Sequence, residues 1–468
     1  MLDVYTKLRQ RLEEFAIPCV PGKGIIGFLR IIFTEQEAKM LSKFKLFNIS
    51  LTVEQFAHEN GYSPRLVQEV FYNLAKRNLI RYEKKSGTDY FSIRPLVVGI
   101  YEAFFSTWRE QNPDTLVPAA KAIEEYFKNT FYKAVSNSKS PWARIIPSLG
   151  AIEATFTENH EYYNIEDIKI TIVDNIRRIG AIFKYGVRDL AKKVSSGRVS
   201  EAIYSIKYNG LTIAKKIIFS VISKNRDGKF SLRKKKRADN QKIIRINEKI
   251  PTILKIHPYE VIWHYLEQAV TISVAPCSCR KSHRYFDEAC GESQKSECKF
   301  PVEDTCLHLR YDDQVINELN LQGGHIISKE EALNILNRCE KSGLVHASFN
   351  SSEKIEFICN CCPCCCGILG TMTRYHQKYR AFIESNFQPV HQIHQCIKCG
   401  NCRQICPVHA ISQNADGFPI IDHEICIGCG VCVTNCLKKA LLLIKTKNNR
   451  PAIDAIESLV RFANQKVE

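Results

Sequence analysis

The amino-acid sequence predicts a multidomain α+β protein, and three observations lead to this prediction. The chain has 468 residues, of which 45% are hydrophobic, so it is long enough for several domains with real cores. Helical and hairpin patterns alternate in the first 110 residues. Of the 21 cysteines, Cys19 is the sole one in the first 276 residues, and the other twenty follow it. The C-terminal part therefore differs from the N-terminal part in its chemistry.

The numerous cysteines are expected to bind metal. Disulfide frameworks are typical of small secreted domains. This sequence instead starts with MLDVYTKLRQRLEEF, a charged amphipathic helix without the apolar core of a signal peptide. No run reaches the roughly 18 apolar residues that a membrane span requires. We therefore expect a cytoplasmic, reducing location, in which clustered cysteines usually ligate metal.

Residues 1–32 predict an N-terminal helix and a loop. The stretch GKGIIG at residues 22–27 matches the G-x-G-x-x-G pattern of dinucleotide sites, but it follows no clear strand and opens no βαβ unit. The sequence also contains no P-loop pattern. We therefore predict no nucleotide ligand.

Residues 33–110 predict a winged-helix-like domain. A capping box of Thr34 and Glu37 opens one helix. A helix pair then turns at Gly61, and KKSGTD marks the turn of a hairpin. Helix, turn, helix and hairpin in this order predict a winged helix-turn-helix.

The second helix of that pair carries the surface that would meet a partner. It is capped by Ser63, with Pro64 at its first position. Its predicted buried residues are Leu66, Val70, Phe71 and Leu74. Its outer face carries Arg65, Gln68, Asn73, Lys76 and Arg77. Residues 33–96 could therefore bind DNA, but winged helices also dock proteins, and both interpretations stay open.

Residues 111–228 predict a helical segment, and residues 229–250 predict a basic linker. A long amphipathic helix is expected over 165–194 and a second helical stretch over 210–224. A helical hairpin packed against the rest of the chain is the favoured explanation, and docking to a membrane surface or a partner is the alternative. The linker sequence KFSLRKKKRADNQK is expected to be solvated.

Two copies of one cysteine motif define residues 387–446. CIKCGNCRQICPVHA (396–410) and CIGCGVCVTNCLKKA (426–440) both read Cys-x-x-Cys-x-x-Cys-x-x-x-Cys. The two-residue gaps let three sulfurs hold three corners of an iron–sulfur cube within one tight loop. The pattern resembles bacterial-type ferredoxins over about residues 390–445 and predicts a domain with two [4Fe–4S] clusters. A zinc site is disfavoured, because zinc prefers two separate Cys-x-x-Cys pairs.

The fourth cysteine of each run implies crossed ligation, since in two-cluster ferredoxins it ligates the other cluster. Cluster I is expected to take Cys396, Cys399, Cys402 and Cys436. Cluster II is expected to take Cys426, Cys429, Cys432 and Cys406. Adjacent clusters of this kind carry electrons and have no substrate chemistry of their own, so electron transfer is the predicted role of this domain. Residues 447–468 are expected to form a C-terminal helix.

Residues 251–386 predict a second, cysteine-rich domain that binds iron and sulfur. A helix with Ser328 and Glu331 as its capping box is expected in the stretch IISKEEALNILNRCEKSGLVH. The chain here resembles a family of uncharacterised 4Fe-4S binding proteins of anaerobic prokaryotes, which join a winged-helix-like N-terminus, a cysteine-rich middle and a C-terminal two-cluster ferredoxin domain. The matching stretches are CSCR (277–280), DTCL (304–307), ISKEEAL (327–333), GLVHASFN (343–350) and ICNCCPCCCGILGTM (358–372).

The resemblance covers about residues 30–110 and 241–445, so most of the helical segment is an insertion. It implies at least one additional iron–sulfur cluster but brings no established reaction. The implied candidate ligands are Cys277, Cys279, Cys298, Cys306, Cys359, Cys361, Cys362, Cys364 and Cys366. Cys290, Cys339 and Cys365 are extra to the pattern and are not expected to be ligands. Nine thiols suffice for one cube, or for two with a spare, and a structural zinc site is the alternative.

The predicted function is iron–sulfur electron transfer, as an accessory or partner subunit of a larger anaerobic redox system. The formal charge of +17 would fall by about 4 when two clusters bind, and the remaining excess favours an acidic redox partner. One alternative is a redox-sensing regulator that binds DNA through residues 33–96. Another is an oxidoreductase with a substrate-binding cluster in the central domain. In each case we expect an electron carrier or oxidoreductase component and not a stand-alone catalyst.

Overall fold

The computed structural model describes residues 2–15, 17–44, 50–107, 109, 111–136, 140–155, 222–224, 230–232, 256–290, 298–311, 323–377, 380–454, 457–458 and 461–462. The chain divides into two compact units. The larger unit joins Met1–Thr157 to Glu248–Glu468, and the smaller one is Glu158–Asn247. Among the residues described, no helix combines the length and the apolar character that crossing a membrane requires.

Helices and one hairpin build the described N-terminal residues. They are α1 (Val4–Glu13), α2 (Ile25–Ile32), α3 (Glu35–Leu41), α4 (Val53–Asn60), α5 (Pro64–Lys76), β1 (Ile80–Lys85) and β2 (Thr88–Ile93). The capping box that opens α3 is confirmed: Glu37 N donates to Thr34 Oγ1 at 3.2 Å, and Thr34 N donates to Glu37 Oε2 at 2.8 Å. The cap of α5 is confirmed as well, because Leu66 N donates to Ser63 Oγ.

The buried face of α5 differs slightly from the expected one. Val67, Val70, Phe71, Leu74 and Ala75 are buried, whereas the expected Leu66 is half-buried. The reason is helical phase, since positions 67, 70, 71 and 74 follow the 3, 4, 7 spacing of one face. Phenylalanine rings fill the space below this face. Phe71 lies with its centroid 5.3 Å from Phe44, 4.9 Å from Phe56 and 5.2 Å from Phe91.

The hairpin of β1 and β2 turns at the predicted stretch. Ser86 and Gly87 both have a positive φ, of 49° and 83°, as a two-residue turn that follows the strand twist requires. The register pairs Ile80 with Ile93 and Lys85 with Thr88. The elements of the predicted domain are thus present in the expected order. Its assignment as a winged helix-turn-helix remains a prediction.

Helices and one strand follow before the insertion. They are α6 (Tyr101–Ser106), α7 (Pro113–Tyr126), α8 (Tyr132–Ser136), β3 (Ala143–Ile146) and α9 (Leu149–Thr155). The predicted helix over 165–194 lies outside the described residues. In the smaller unit, β4 (Ile222–Lys224) pairs antiparallel with β5 (Phe230–Leu232).

The helix predicted over 210–224 is therefore wrong at residues 222–224, and the expected linker contains strand residues 230–232. A reason lies in the local sequence, in which β-branched residues are frequent before residue 224. Such side chains pack well on a pleated surface and are less favourable in helices.

The cysteine-rich part follows the insertion. Its elements are α10 (Ile262–Gln268), β6 (Thr271–Ala275), α11 (Ser278–Cys290), β7 (Cys306–Arg310), β8 (His325–Ile327), α12 (Lys329–Lys341), β9 (Val345–Phe349), β10 (Phe357–Cys361), α13 (Gly367–Thr373) and β11 (Phe382–Ile383). Half of the capping box predicted for α12 is present, as Glu331 N donates to Ser328 Oγ at 3.0 Å; the return bond from Ser328 N to the Glu331 side chain is not formed.

A seven-stranded sheet is the largest sheet in the described part of the chain. Its strand order is β11, β3, β9, β10, β7, β6, β8. β11 pairs parallel with β3, and all other neighbours pair antiparallel. β3 comes from the segment that the sequence assigns to helices, and it joins the cysteine-rich sheet because its Ile145 and Ile146 are buried apolar residues. One core packs the sheet against α10 and α12, through residues such as Leu266, Leu307, Leu336 and Ile358.

The C-terminal part is a small domain of short elements. They are β12 (Phe387–His391), α14 (Asn401–Ile405), β13 (Ile411–Gln413), β14 (Pro419–Ile421), α15 (Val431–Thr434) and β15 (Leu441–Lys445). β12 pairs antiparallel with β15, and β13 pairs antiparallel with β14. Beyond it, residues 446–454 are not helical, and helix is present at the described positions 457–458 and 461–462.

Candidate metal centres

The two cysteine motifs of the C-terminal domain fold into matching loops. Each loop has residues in the left-handed region at equivalent positions: Lys398 (φ 61°) matches Gly428 (φ 68°), and Gly400 (φ 74°) matches Gly430 (φ 79°). The backbone can then wrap inward, and a short helix follows, α14 in one loop and α15 in the other. The repeat seen in the sequence is thus a structural repeat.

The fold brings the fourth cysteine of each motif to the other motif. One cavity is lined by Cys396, Cys399, Cys402 and also Cys436. The pKa of Cys402 is raised by burial and by the neighbouring Cys399, Cys436 and Cys396.

The second set has the same arrangement. Burial raises the pKa of Cys429 and of Cys432, and in both cases Cys406 and Cys426 add to the effect. Both sets are grouped as crossed ligation requires, and four thiols around one space suit a [4Fe–4S] cube.

Backbone N–H groups point at several of these sulfurs. Ala410 N donates to Cys406 Sγ at 3.3 Å, and Ala440 N donates to Cys436 Sγ at 3.2 Å. In the first loop, Lys398 N donates to Cys396 Sγ at 3.4 Å. Such bonds stabilise negative charge on thiolates and raise the reduction potential of a bound cluster.

Replacing Gly428 by alanine is expected to remove the iron held by the second loop and to lower the melting temperature. A Cβ there would lie 2.1 Å from Phe387 O and 2.3 Å from Ser385 Oγ, and the left-handed backbone adds roughly 1–3 kcal/mol of strain. Iron per chain and thermal unfolding measure the effect.

The matched control is Lys398→Ala. Lys398 holds the equivalent left-handed position in the first loop, is exposed and already carries a Cβ. This variant should keep the iron content of the unmodified protein. Equal iron in Gly428→Ala and Lys398→Ala would contradict the prediction.

The two sets differ in their exposure. Cys399 of the first set is exposed, whereas Cys406, Cys429 and Cys432 of the second are buried. The second set faces α9, where Ser148 N donates to Cys429 O at 2.9 Å. The first set thus lies near solvent, and the second lies against the rest of the larger unit.

The central domain gathers most of its cysteines in two groups. We call the first group the thiol row, and its members come from four places in the fold. Cys306 and Cys359 are register partners on β7 and β10, and Cys361 follows two residues later on the same face of β10. Cys277 and Cys279 lie at the start of α11, and Cys366 caps α13. The thiol row consists of Cys277, Cys279, Cys366, Cys361, Cys359 and Cys306.

Neighbouring sulfurs in the thiol row shift one another's pKa values. Cys359 lies between Cys306 and Cys361, whose thiols donate to it and lower its pKa to about 7. Cys366 lies between Cys279 and Cys361, and these two thiols lower its pKa in the same way. The pKa values of these two sulfurs are thus shifted toward the thiolate, which is the form that binds metal, whereas neighbouring thiols and burial raise the pKa values of Cys277, Cys279, Cys306 and Cys361.

The thiol row lines a cavity of about 210 Å³. Aromatic residues such as Tyr101, Phe131 and Trp142 line the cavity too, as do Arg81, Arg94 and Arg310. Burial lowers the pKa of Arg94, and the charges of Arg81 and Arg310 lower it further. The cavity thus combines thiols with arginines and has room for a ligand, and Glu83, Glu102 and Glu356 line it as well.

A buried arginine lies beside the cysteines. Arg280 is fully buried, and it donates from Nη1 to Asn360 O at 2.8 Å and from Nη2 to Thr305 Oγ1 at 2.6 Å. Burial opposes its charge, but the neighbouring Cys277 and Cys362 raise its pKa. A buried cation held in this way requires negative charge nearby.

The second group consists of Cys298, Cys362, Cys364 and Cys365, whose sulfurs all lie within 4.8 Å of one another. We call it the compact thiol group. Cys365 was not expected among the ligands, yet it is buried in this group with its sulfur 3.7 Å from that of Cys364. The sequence pattern missed it because three cysteines in succession leave the direction of each side chain open. Cys339 is buried in the same hydrophobic core as Cys362 and Cys365, but it belongs to neither group.

A buried polar chain connects the central domain to the C-terminal one. His346 contacts Glu340 Oε1 through Nε2 at 2.8 Å and Asn360 Oδ1 through Nδ1 at 2.7 Å. Asn435, the residue directly before Cys436, donates from Nδ2 to Glu340 O at 2.9 Å. Both ring nitrogens of His346 thus have hydrogen-bond partners. The other histidine of this domain's strand β8, His325, is exposed.

Comparisons with known proteins identify the C-terminal domain. Residues 395–441 match the family model described as a 4Fe-4S dicluster domain. The pyruvate synthase subunit PorD of Methanocaldococcus jannaschii is 34% identical over 59 residues, which are 13% of this chain and 69% of that protein. One subunit of the Na(+)-translocating ferredoxin:NAD(+) oxidoreductase complex of Acetobacterium woodii is 41% identical over 49 residues, 10% of this chain and 15% of that subunit.

A component of the anaerobic dimethyl sulfoxide reductase of Haemophilus influenzae is 34% identical over 74 residues, which are 15% of this chain and 36% of that component. No solved structure matches the chain. The similarity is thus confined to a small part of this chain, and these three relatives are parts of larger enzymes. Through its C-terminal residues, the chain belongs to the family of 4Fe-4S dicluster ferredoxin domains.

Proposed function

We propose that the chain transfers electrons as a partner subunit of a larger redox enzyme in a reducing cytoplasm. The observation that carries this proposal is the pair of four-thiol sets in the 4Fe-4S dicluster domain, one near solvent and the other against α9. Each [4Fe–4S] cluster, when bound, accepts and releases one electron. Electrons would be exchanged with another protein through the set near solvent.

The proposed ligands follow the grouping of the sulfurs. Cluster I is held by Cys396, Cys399, Cys402 and Cys436, and cluster II by Cys426, Cys429, Cys432 and Cys406. The cavity shared by the first set and the effect of Cys406 on the second set support this assignment. The hydrogen bonds from Ala410 N and Ala440 N fit thiolates that carry negative charge.

The thiol row is the proposed site of a further iron–sulfur cluster. Its six thiols supply more than the four ligands of a cube, and they come from elements that the sheet fixes. Arg280 and Arg94 supply positive charge for an anionic cluster. Electrons would then pass between cluster II and the central domain across the contact with α9.

The proposed partner is an acidic protein that docks over cluster I. Leu437 is 89% exposed and Ile397 is 57% exposed, and both adjoin ligands of this cluster. Lys398, Arg403 and Lys438 are exposed beside them. An apolar centre with a basic rim is typical of a surface that meets a partner of opposite charge.

Anaerobic purification followed by iron and acid-labile sulfide analysis tests the proposal. We expect about twelve irons and twelve sulfides per chain, because three cubes hold four of each. Cys359→Ala in the thiol row should reduce the count by up to four, whereas Cys19→Ala, a buried thiol far from both motifs in sequence, should leave it unchanged. A count near eight, unaffected by Cys359→Ala, would leave the central domain without a cluster.

A second candidate function is an oxidoreductase that binds its substrate in the cavity above the thiol row. The cavity of about 210 Å³ and its arginines favour a small anionic substrate. Spectral changes of the reduced protein with small carboxylates or oxyanions would support it, provided that Arg94→Gln abolishes them. No spectral change with any such anion would argue against this function.

The third candidate is a redox-sensing regulator that binds DNA. The observation in its favour is that Arg81, Tyr82, Glu83 and Lys84 of β1 line the same cavity as the thiol row. A change in the oxidation state of a cluster at the thiol row would therefore be transmitted to the hairpin of β1 and β2, which belongs to residues 33–96. Salt-dependent binding to duplex DNA that differs between oxidised and reduced protein would support a regulator.

A further inference from the structure

The compact thiol group is more tightly packed than any other potential metal site among the residues described. Its four sulfurs lie mutually within 4.8 Å, and no other three ligand atoms of cysteine, histidine, aspartate or glutamate do so in that part of the chain. The ferredoxin thiols and the thiol row are therefore more widely spaced. The tight spacing identifies a different kind of site.

The size of the metal group determines how far apart its sulfurs lie. A single tetrahedral Zn²⁺ with Zn–S bonds of about 2.3 Å places its sulfurs about 3.8 Å apart. A [4Fe–4S] cube places the sulfurs of its cysteines about 6 Å apart, because four metal atoms lie between them. The limit of 4.8 Å and the Cys364–Cys365 distance of 3.7 Å fit one metal ion and are too short for a cube.

We propose that Cys298, Cys362, Cys364 and Cys365 bind one structural Zn²⁺ ion. The assignment stands independently of the proposed electron transfer. A closed set of four thiolates is a typical structural zinc site. Zn²⁺ binds such a site more tightly than Fe²⁺ does, which favours zinc over a single iron.

The surroundings offset part of the charge of this site. Four thiolates and one Zn²⁺ have a net charge of −2. The fully buried Arg280 lines the same cavity as Cys362. Arg374 Nη2 donates to Cys365 O at 3.3 Å, while its Nη1 lies 3.3 Å from Glu124 Oε1, so its charge is shared with that carboxylate.

The position of the site indicates its purpose. Cys362, Cys364 and Cys365 lie in a short loop whose flanking residues, Cys361 and Cys366, belong to the thiol row. The ion would connect this loop to Cys298. Zinc does not change its oxidation state, so it would fix the loop without exchanging electrons. We infer that the zinc site holds Cys361 and Cys366 at the spacing that the thiol row requires.

Metal analysis of the full chain tests the proposal. Anaerobically purified protein, dialysed against a chelator, should retain about one zinc per chain. Cys364→Ala and Cys365→Ala should each reduce the zinc at least fivefold. The control is Cys339→Ala, a buried cysteine of the same core that lies outside the group, and it should keep its zinc.

X-ray absorption at the zinc edge of the unmodified protein keeps the test decisive if the variants fail to fold. It should show four sulfur neighbours at about 2.3 Å. Zinc with nitrogen or oxygen neighbours, or no retained zinc, would overturn the proposal. The spectrum of a single ferric ion with four thiolates would overturn it as well, since iron would then occupy the site.

Discussion

Replacing Cys406 by alanine should remove or degrade the cluster of the second motif, although Cys406 belongs to the first. The reason is the proposed crossed ligation: Cys406 lies with Cys426, Cys429 and Cys432 and affects the pKa of the last two. Iron should fall by between one and four atoms per chain, because a cube that lacks one ligand loses one iron or dissociates.

Paramagnetic spectra of the reduced protein distinguish crossed from uncrossed ligation. Cys406→Ala should give the spectrum of Cys426→Ala, and Cys436→Ala should give that of Cys396→Ala. Each variant would retain the signal of the other ferredoxin cluster and lose the coupling between the two. If Cys406→Ala instead matches Cys396→Ala, each motif holds its own cluster and the proposed ligand sets are wrong.

Replacing Glu340 by alanine should destabilise the larger unit by about 3–5 kcal/mol, as breaking a buried pair does. Glu340 is 1% exposed. Its carboxylate contacts His346 Nε2 at 2.8 Å and accepts from Leu149 N at 2.6 Å and Gly150 N at 3.0 Å. Alanine would leave these groups buried without their acceptor, at a cost of about 1–3 kcal/mol each.

Urea unfolding under anaerobic conditions, followed by circular dichroism, measures this change. Glu330→Ala is the matched control, because Glu330 lies on the same helix and is exposed, so it should change stability by less than about 0.5 kcal/mol. A shift below about 1 kcal/mol for Glu340→Ala would mean that water replaces the carboxylate. Because Glu340 contacts α9 and Asn435, a change in cluster I or II should accompany the loss of stability.

Local patterns in the sequence predicted local structure well. The caps at Thr34, Ser63 and Ser328 are present, and so are the turn of the first hairpin and the repeated loops of the ferredoxin domain. Each of these depends on residues within a few positions of one another. A cap or a tight turn is determined by short-range hydrogen bonds and backbone preferences, which the sequence states directly.

Features that depend on distant contacts were not predicted. β3 pairs with β9 and β11, which lie about two hundred residues later, and no local pattern indicates this. The division of the central cysteines into two groups also escaped prediction, since Cys298 joins the loop only through the fold. The family resemblance left Cys365 outside the expected ligands, whereas the backbone turn before α13 directs its sulfur toward Cys364.

The position of β3 has a consequence for how the protein is made. Its two neighbours in the sheet pair Ala143 with Phe349 and with Phe382, so both are synthesised long after it. A nascent chain therefore carries β3 with unpaired edges, and distant pairing of this kind is slow. Cys306 and Cys359 pair across this same sheet, whose strand β11 follows both of them in the chain. We expect a nascent chain whose sheet is incomplete to hold these thiols free and to be the form most sensitive to oxygen.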